Sequence, residues 1–336
     1  MRLVKRPTLL LILSCALGLA ACGGGDDEDD SDDGTTDGAD GADDGADDGG
    51  IDPAGTDHTY VIDSVTVPST PAQATEVGLN VDGEGSVDNA LGGLLALLAG
   101  PPANLEIQAT VDEQIAEGGI ILLANVVATD LATASGVGLY VFLGDSPTPA
   151  PCADENDTEC GLHLQGDGSF EISADSPTDA VVIGETAGGN FSGGPGEVTI
   201  ELSLSALAEP LRITLIGAAI EAAVSADGLT GKLGGAITLD DVNNELIPGV
   251  AELIAGILEE EMCTGTAPPC CPDGSTGNSI LEILDDNDDC VVPPEELAAN
   301  SFISSTLGQA DVTIDGQDSI SLGIGFSAVT GTFTPP

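Results

Sequence analysis

The chain reads as a mainly β protein, an antiparallel sandwich-like fold with a few helices gathered in the C-terminal third. α+β is the alternative. Two observations predict this. Several stretches alternate apolar and polar residues with period two, the pattern of half-buried strands. Others, at 120–127 and 137–143, are apolar on both faces and read as central strands. A third observation sets the kind of core. There is no Trp, with 2 Tyr and 6 Phe in 336 residues, so Ala, Val, Ile and Leu must fill it.

In chain order, strands are expected near 60–67 and 76–81. The next covers 104–111, where Leu105, Ile107, Ala109 and Val111 alternate with Asn104, Glu106, Gln108 and Thr110. The two central strands follow, then strands near 168–174 and 180–184. Val198, Ile200, Leu202 and Leu204 alternate with Thr199, Glu201, Ser203 and Ser205. Further strands are expected near 211–224 and 233–239. The last, 319–333, alternates Ile320, Leu322, Ile324, Phe326 and Ala328 with small or polar residues. It should return to the main sheet after the helices, which favours one domain over 58–336.

Helical signals are fewer. The stretch 87–98 is short and mostly apolar. Asp240 can cap a helix running to about Met262, with Val242, Leu246, Val250, Leu253, Ile254 and Ile257 on one face. Pro248 should kink or split it. Shorter helical patterns precede and follow residues 285–296.

The first 21 residues are organised differently. Arg2, Lys5 and Arg6 precede an apolar run from Thr8 to Leu19, and Leu19-Ala20-Ala21-Cys22 closes it. The run is the length of a signal h-region and too short to span a bilayer. At Cys22 the sequence resembles the lipobox of bacterial lipoproteins. The resemblance implies cleavage before Cys22, a diacylglycerol thioether on its sulfur and acylation of the new amino terminus. Two or more acyl chains anchor stably. Gly23, in place of the aspartate of inner-membrane retention, implies the outer membrane, with the face undecided.

Residues 22–57 form a lipidated cysteine and an Asp/Gly-rich tether. It holds 15 acidic residues after Cys22 and almost no apolar bulk. Such a segment cannot bury enough surface to offset its ordering entropy and is expected to be disordered. After cleavage only Arg212 and Lys232 face 58 acidic residues, two cations against 58 anions, a formal side-chain charge of −56. That excludes nucleic acid as a partner, because phosphates need clustered cations. Anionic membrane surfaces would repel the domain, so the lipid must hold it there.

Six cysteines remain beyond the anchor: Cys152, Cys160, Cys263, Cys270, Cys271 and Cys290. An even number in an exported chain reads as disulfides. Cys152 pairs with Cys160 in this reading. Cys263 and Cys290 each take one of the adjacent pair Cys270 and Cys271, in an order the sequence leaves open. A zinc site is disfavoured, since no paired C-x-x-C knuckles occur.

Residues 285–296 read Asp-Asp-Asn-Asp-Asp-Cys-Val-Val-Pro-Pro-Glu-Glu. Asp285, Asn287 and Asp289 fill positions 1, 3 and 5 of an EF-hand loop, the Val291 carbonyl position 7 and Glu296 position 12. With its flanking helical patterns, the segment 278–307 resembles an EF-hand or the related dockerin-type loop. The resemblance implies calcium as a structural cofactor, held by those five residues. Cys290 stands where glycine normally permits the sharp turn, and Pro293 offers no side-chain oxygen at position 9. Weaker acidic candidates are Asp154, Asn156 and Asp157, and Asp315, Gln317 and Asp318.

No catalytic constellation appears. Only His58 and His163 exist, and neither Gly-x-Ser-x-Gly nor a phosphate loop occurs. Carboxylates are too abundant for any pair to be singled out. The chain as a whole is similar to acidic, disulfide-containing lipoproteins of the myxobacterial type, a resemblance that implies no activity. The expected function is a non-catalytic envelope or surface module, membrane-anchored by lipid and braced by calcium, that meets a surface protein, matrix or a small ligand. An apolar-ligand carrier is second and a carboxylate-dependent hydrolase third.

Overall fold

The alternating segments close on themselves. The computed structural model describes residues 53–101, 104–153, 160–202 and 211–336. Ten strands occur among them: β1 (Thr56–Thr66), β2 (Leu122–Ala128), β3 (Thr133–Thr148), β4 (Ser169–Ile172), β5 (Val182–Ala187), β6 (Asn190–Leu202), β7 (Leu211–Ser225), β8 (Gly228–Thr238), β9 (Val312–Ile314) and β10 (Gln317–Thr330). All strands but β4 and β9 run β1-β2-β3-β5-β6-β7-β8-β10, each antiparallel to its neighbours, and β10 then pairs with β1. Val61 opposite Val329 and Val65 opposite Phe326 seal the ring. The fold is therefore an eight-stranded up-and-down barrel and not a sandwich. Period-two alternation says which face of a strand is buried; it does not say whether first and last strands meet.

Eight strands enclose an interior just wide enough for side chains. Ile62, Leu122, Leu139, Ile200, Ile220, Leu233 and Ile324 line it and leave a void of about 30 Å³. Tyr60 is buried with its hydroxyl donating to the Ser225 carbonyl at 2.8 Å. Burial, with Asp227 adding to it, pushes that phenol up to about 12. The outward side chains Val61, Leu123 and Phe142 would be bare. They are covered by Phe170 of β4 and by Phe333, whose ring meets Phe142 edge-on at 6.1 Å. His163 lies in the single 3₁₀ turn Leu162–Leu164 and is fully buried beside Phe170. Neither of its ring nitrogens has a hydrogen-bond partner among the described residues.

At one barrel end the connections are short. Gly188-Gly189, both left-handed (φ 62° and 78°), turn β5 into β6 as a two-residue hairpin requires. At the other end two long connections carry every α-helix described. Between β1 and β2 lie α1 (Pro71–Val77), α2 (Ala90–Ala99) and α3 (Ile107–Glu117). Between β8 and β9 lie α4 (Leu239–Asp241), a π-type turn Val242–Leu246, α5 (Ile247–Glu260), α6 (Thr276–Leu284), α7 (Pro294–Ala299) and α8 (Ser301–Thr306). Because β1 and β8 are both antiparallel to β10, they leave the barrel at the same end. The two helix groups meet there: Leu91, Leu94, Leu95 and Leu98 of α2 pack on Ile247 and Val250 of α5, Leu297 of α7 and Ile303 of α8. The helices are thus not confined to the C-terminal third; they form one cap drawn from two parts of the chain.

Several local expectations change. The stretch 104–111 is not a strand but enters α3. Ile107, Val111 and Ile115 are buried at spacings of four, which satisfy both a period of two and a helical face, and Gly118 ends the helix left-handed at φ 73°. At 76–81 the chain finishes α1 and makes only a bridge from Leu79 to Asp88. The cap of the segment after β8 is Thr238, whose hydroxyl accepts from the Asp241 N–H at 3.1 Å, and not Asp240. Pro248 interrupts the regular α-pattern without ending the helix: it directly follows the π-type turn, and Leu246 and Ile247 before it keep helical backbone angles. β1 begins at Thr56, two residues inside the segment expected to be tether, and the Asp57 carboxylate accepts from Asn125 at 2.9 Å. Residues 203–205 of the expected strand at 198–205, and all of 1–52, lie outside the described residues.

One side chain ties cap to barrel. The Asn89 amide donates to the Ala74 and Gly323 carbonyls at 2.9 and 3.0 Å, and its oxygen accepts from Gly92 and Gly323 at 3.0 and 2.8 Å. Asn89→Ala removes a helix cap and strands buried backbone groups. It should cost about 2–3 kcal/mol in urea unfolding, whereas exposed Asn190→Ala should stay within about 0.5 kcal/mol. His163 yields a pH prediction. Burial holds its imidazole below the usual range, so the folded state keeps it neutral where the unfolded chain takes up a proton near the ordinary value of about 6.5. That stability is complete above this pH and is lost as pH falls below it. Unfolding free energy should decline from pH 7 to about pH 5.5 in the parent, and less so in His163→Leu; equal slopes would contradict the assignment.

Candidate functional site

The acidic loop 285–296 sits on the cap between α6 and α7. Ser275 starts α6, its hydroxyl accepting from the Asn278 N–H at 3.1 Å, and the Glu261 carboxylate accepts from the backbone N–H groups of Thr276 and Gly277. Ile280, Leu281 and Leu284 bury one face of α6. After the loop the helical pattern that runs to 307 forms two helices, α7 and α8. Asn300 breaks it (φ −56°, ψ 133°) and caps α8 by accepting from Phe302 and Ile303. Its amide reaches back to the Ile283 carbonyl at 3.0 Å and the Asp286 carboxylate at 3.2 Å, fastening the far side of the loop.

Within the loop, Asp285 accepts from the N–H groups of Asp289 (3.2 Å) and Cys290 (2.8 Å), and Asp289 accepts from Val291 (3.2 Å). Glu296 folds back across the turn: one oxygen accepts from Asp286 and Asn287 N–H at 2.8 and 3.2 Å, the other from the Asn287 side-chain amide at 2.9 Å. Carboxylate oxygens of Asp285, Asp289 and Glu296 thereby come within 4.8 Å of one another. Three carboxylates so close repel one another, and the N–H groups donating to them offset part of that repulsion. Neither cation among the described residues lies there: Arg212 pairs with Glu201 at 3.2 Å and Lys232 with Glu221 at 3.5 Å, both on the barrel. Val291 is exposed while Val292 is buried in the cap.

The turn needs two left-handed residues, Asp288 (φ 61°) and Cys290 (φ 71°). Cys290 therefore adopts the conformation that makes glycine usual at that position. A disulfide to Cys270 holds it, with Cα atoms 5.5 Å apart, and Cys263 bonds Cys271. This settles the order the sequence leaves open. Cys152 bonds Cys160. Because Cys270 and Cys290 are bonded to each other, they offer no thiolate to a metal.

The other candidates come apart. Asp315 is left-handed in the two-residue hairpin Asp315-Gly316, and the Asp318 carboxylate accepts from the Thr313 hydroxyl at 3.3 Å, so this segment is a turn. Cys22 and the acidic residues 154–157 lie outside the described residues. His58 is in β1 opposite Val126. A feature not anticipated is the loop Asn80-Val-Asp-Gly-Glu-Gly-Ser-Val-Asp88. Gly83 (φ 79°) and Gly85 (φ 88°) are left-handed at the same spacing as Asp288 and Cys290. Asn80 accepts from Gly83, Asp82 from Glu84 and Asp88 from Val81. Burial, with Asp82 and Asp311 nearby, raises the Asp88 carboxyl. The alternating oxygen-bearing residues from Asn80 to Asp88 were its signal. No three of its acids converge as those of 285–296 do. No family model, curated protein or solved structure matches the chain.

Removing the Cys270–Cys290 bridge by Cys270→Ala with Cys290→Ala frees a 20-residue separation. The loss in urea stability should be about 3 kcal/mol. Stability unchanged by the double substitution would show that the bridge does not constrain the cap.

Proposed function

We propose that this chain is a lipid-anchored bacterial envelope protein that displays a non-catalytic binding or structural module, with a calcium ion bracing its helical cap. The anchor in this reading is Cys22 in the outer membrane, with the acidic segment behind it as spacer. The ion would be held by Asp285, Asn287, Asp289, the Val291 carbonyl and Glu296. The observation that carries the cation reading is the convergence of three carboxylates on a loop held by a disulfide, with no cation from the described residues beside them. A hard cation with oxygen ligands suits that donor set. Its role would be structural. The bonded Cys290 and the buried Val292 and Leu297 fix the loop to the cap, so an ion here stiffens the cap and has little room to act as a switch.

The carrier reading ranks second. Its supporting feature, the Leu-rich α2, packs into the cap, where the apolar voids measure about 40–50 Å³. A ligand pocket needs several hundred Å³, roughly 300–1,000. The carboxylate hydrolase ranks third.

The test is a thermal melt of the oxidised full-length chain in EDTA and across a calcium titration. Single-loop extracellular sites bind at roughly 10⁻⁴ to 10⁻³ M, which at about 10 mM calcium corresponds to about 1.4–2.7 kcal/mol of added stability. The melting temperature should rise in the parent and stay level in Asp285→Ala and Glu296→Gln. A parent that does not respond to calcium reduces the loop to an acidic turn.

A further inference from the structure

Beside α5 the fold leaves an apolar groove. Ile247, Leu253 and Ile254 are buried in the cap. Ala251, Ala255 and Leu258, at spacings of four and three, line a groove of about 630 Å³ together with Met262, which lies just past the helix end (φ 56°); Ala251 and Leu258 are themselves buried. Its opposite wall is the exit of the acidic loop, Cys290 to Pro294. The floor is buried and apolar, whereas Met262 on one side and Val291 on the other are 71% and 54% exposed, two of the four large apolar side chains left so exposed among the described residues. Disulfide-bonded Cys290 and prolines 293 and 294 make the loop wall stiff, so the groove keeps its shape when empty.

The charge around it selects the occupant. Glu252 and Glu259 line the groove, and Asp285 to Asp289 stand just before the loop wall. Arg212 and Lys232, the two cations among the described residues, are paired elsewhere, so neither serves the rim. A second copy would bring the same anions and be repelled. An apolar trough between acidic rims fits a helix with apolar anchors at i, i+3/i+4 and i+7 and basic flanks. We propose that this groove docks a cationic amphipathic helix of a partner protein. Its apolar stripe lies along exposed Ala255 between Met262 and Val291, above the buried Ala251, Leu258 and Val292, and its Lys or Arg side chains face Glu252 and Glu259. The proposal does not rest on the cation reading.

The probe is a fluorescein-labelled synthetic Leu/Lys amphipathic helix, titrated with the oxidised full-length chain at physiological salt and followed by anisotropy, in calcium and in EDTA. Saturable one-to-one binding is expected in at least one buffer. Met262→Glu and Val291→Asp should each weaken it at least fivefold, and Leu97→Glu, which changes an exposed apolar residue outside the groove, should leave it unchanged. The acidic substitutions discriminate by direction: mere attraction between a cationic peptide and an anionic protein would tighten, while docking in the groove must weaken. Both altered side chains are exposed, and an unchanged melting temperature confirms the fold. The proposal is overturned by absence of saturable binding in both buffers, or by Met262→Glu and Val291→Asp variants that bind within fivefold of the parent or more tightly.

Discussion

The pairing of β1 with β10 is the contact on which the rest of the structure depends. It joins residues 60–66 to residues 325–330 and so requires the whole intervening chain to be in place. Closure removes the two free edges that an open eight-stranded sheet would present. It also encloses a small aliphatic interior, filled by Val, Leu and Ile with Tyr60 at its margin. Once the ring is closed, the long connections can only leave from its ends. Strand direction sends both helix-bearing connections to the same end, and the cap follows from the topology as much as from the helices' own propensity.

A chain with two cations beyond its first 21 residues has few ion pairs to brace itself with, and the two among the described residues, Arg212–Glu201 and Lys232–Glu221, both lie on the barrel. The alternatives it uses are visible. Asn89 and Asn300 replace charged links with neutral amides that satisfy backbone groups at helix ends. Glu261 lies against the first N–H groups of α6, where a negative charge is favourable. Two disulfides cross-link the segment that holds the most crowded acids. The cation and the helix partner proposed above belong to the same logic: positive charge comes from outside.

Much of the barrel was legible in the sequence, because period-two alternation reports a buried face directly. Val198–Leu202 and Ile320–Ala328 lie in strands as read. Closure was not legible, since Val61 opposite Val329 is a relation between the two ends of the domain and neither segment's pattern contains it. The stretch Leu105 to Val111 misled because residues four apart satisfy both periods; Gln114 to Gly118, a helix former running to a left-handed glycine, would have decided it. At the loop, carboxylate spacing and the even cysteine count pointed to the right neighbourhood. The departure at Cys290 is explained only by its partner Cys270, twenty residues away, which no local reading supplies. The groove was invisible for the same reason: Ala255 of α5 and Met262 just past its end, among glutamates, gain meaning only once the loop stands opposite.

The central claim is that a closed barrel serves as a rigid base and that external positive charge acts on the cap alone. Residue-resolved amide hydrogen exchange with and without calcium tests it most directly. The account predicts that calcium slows exchange across 276–306 while the amides of the barrel strands keep their rates. Exchange unchanged at 276–306, or protection gained throughout the barrel with no preference for the cap, would contradict it.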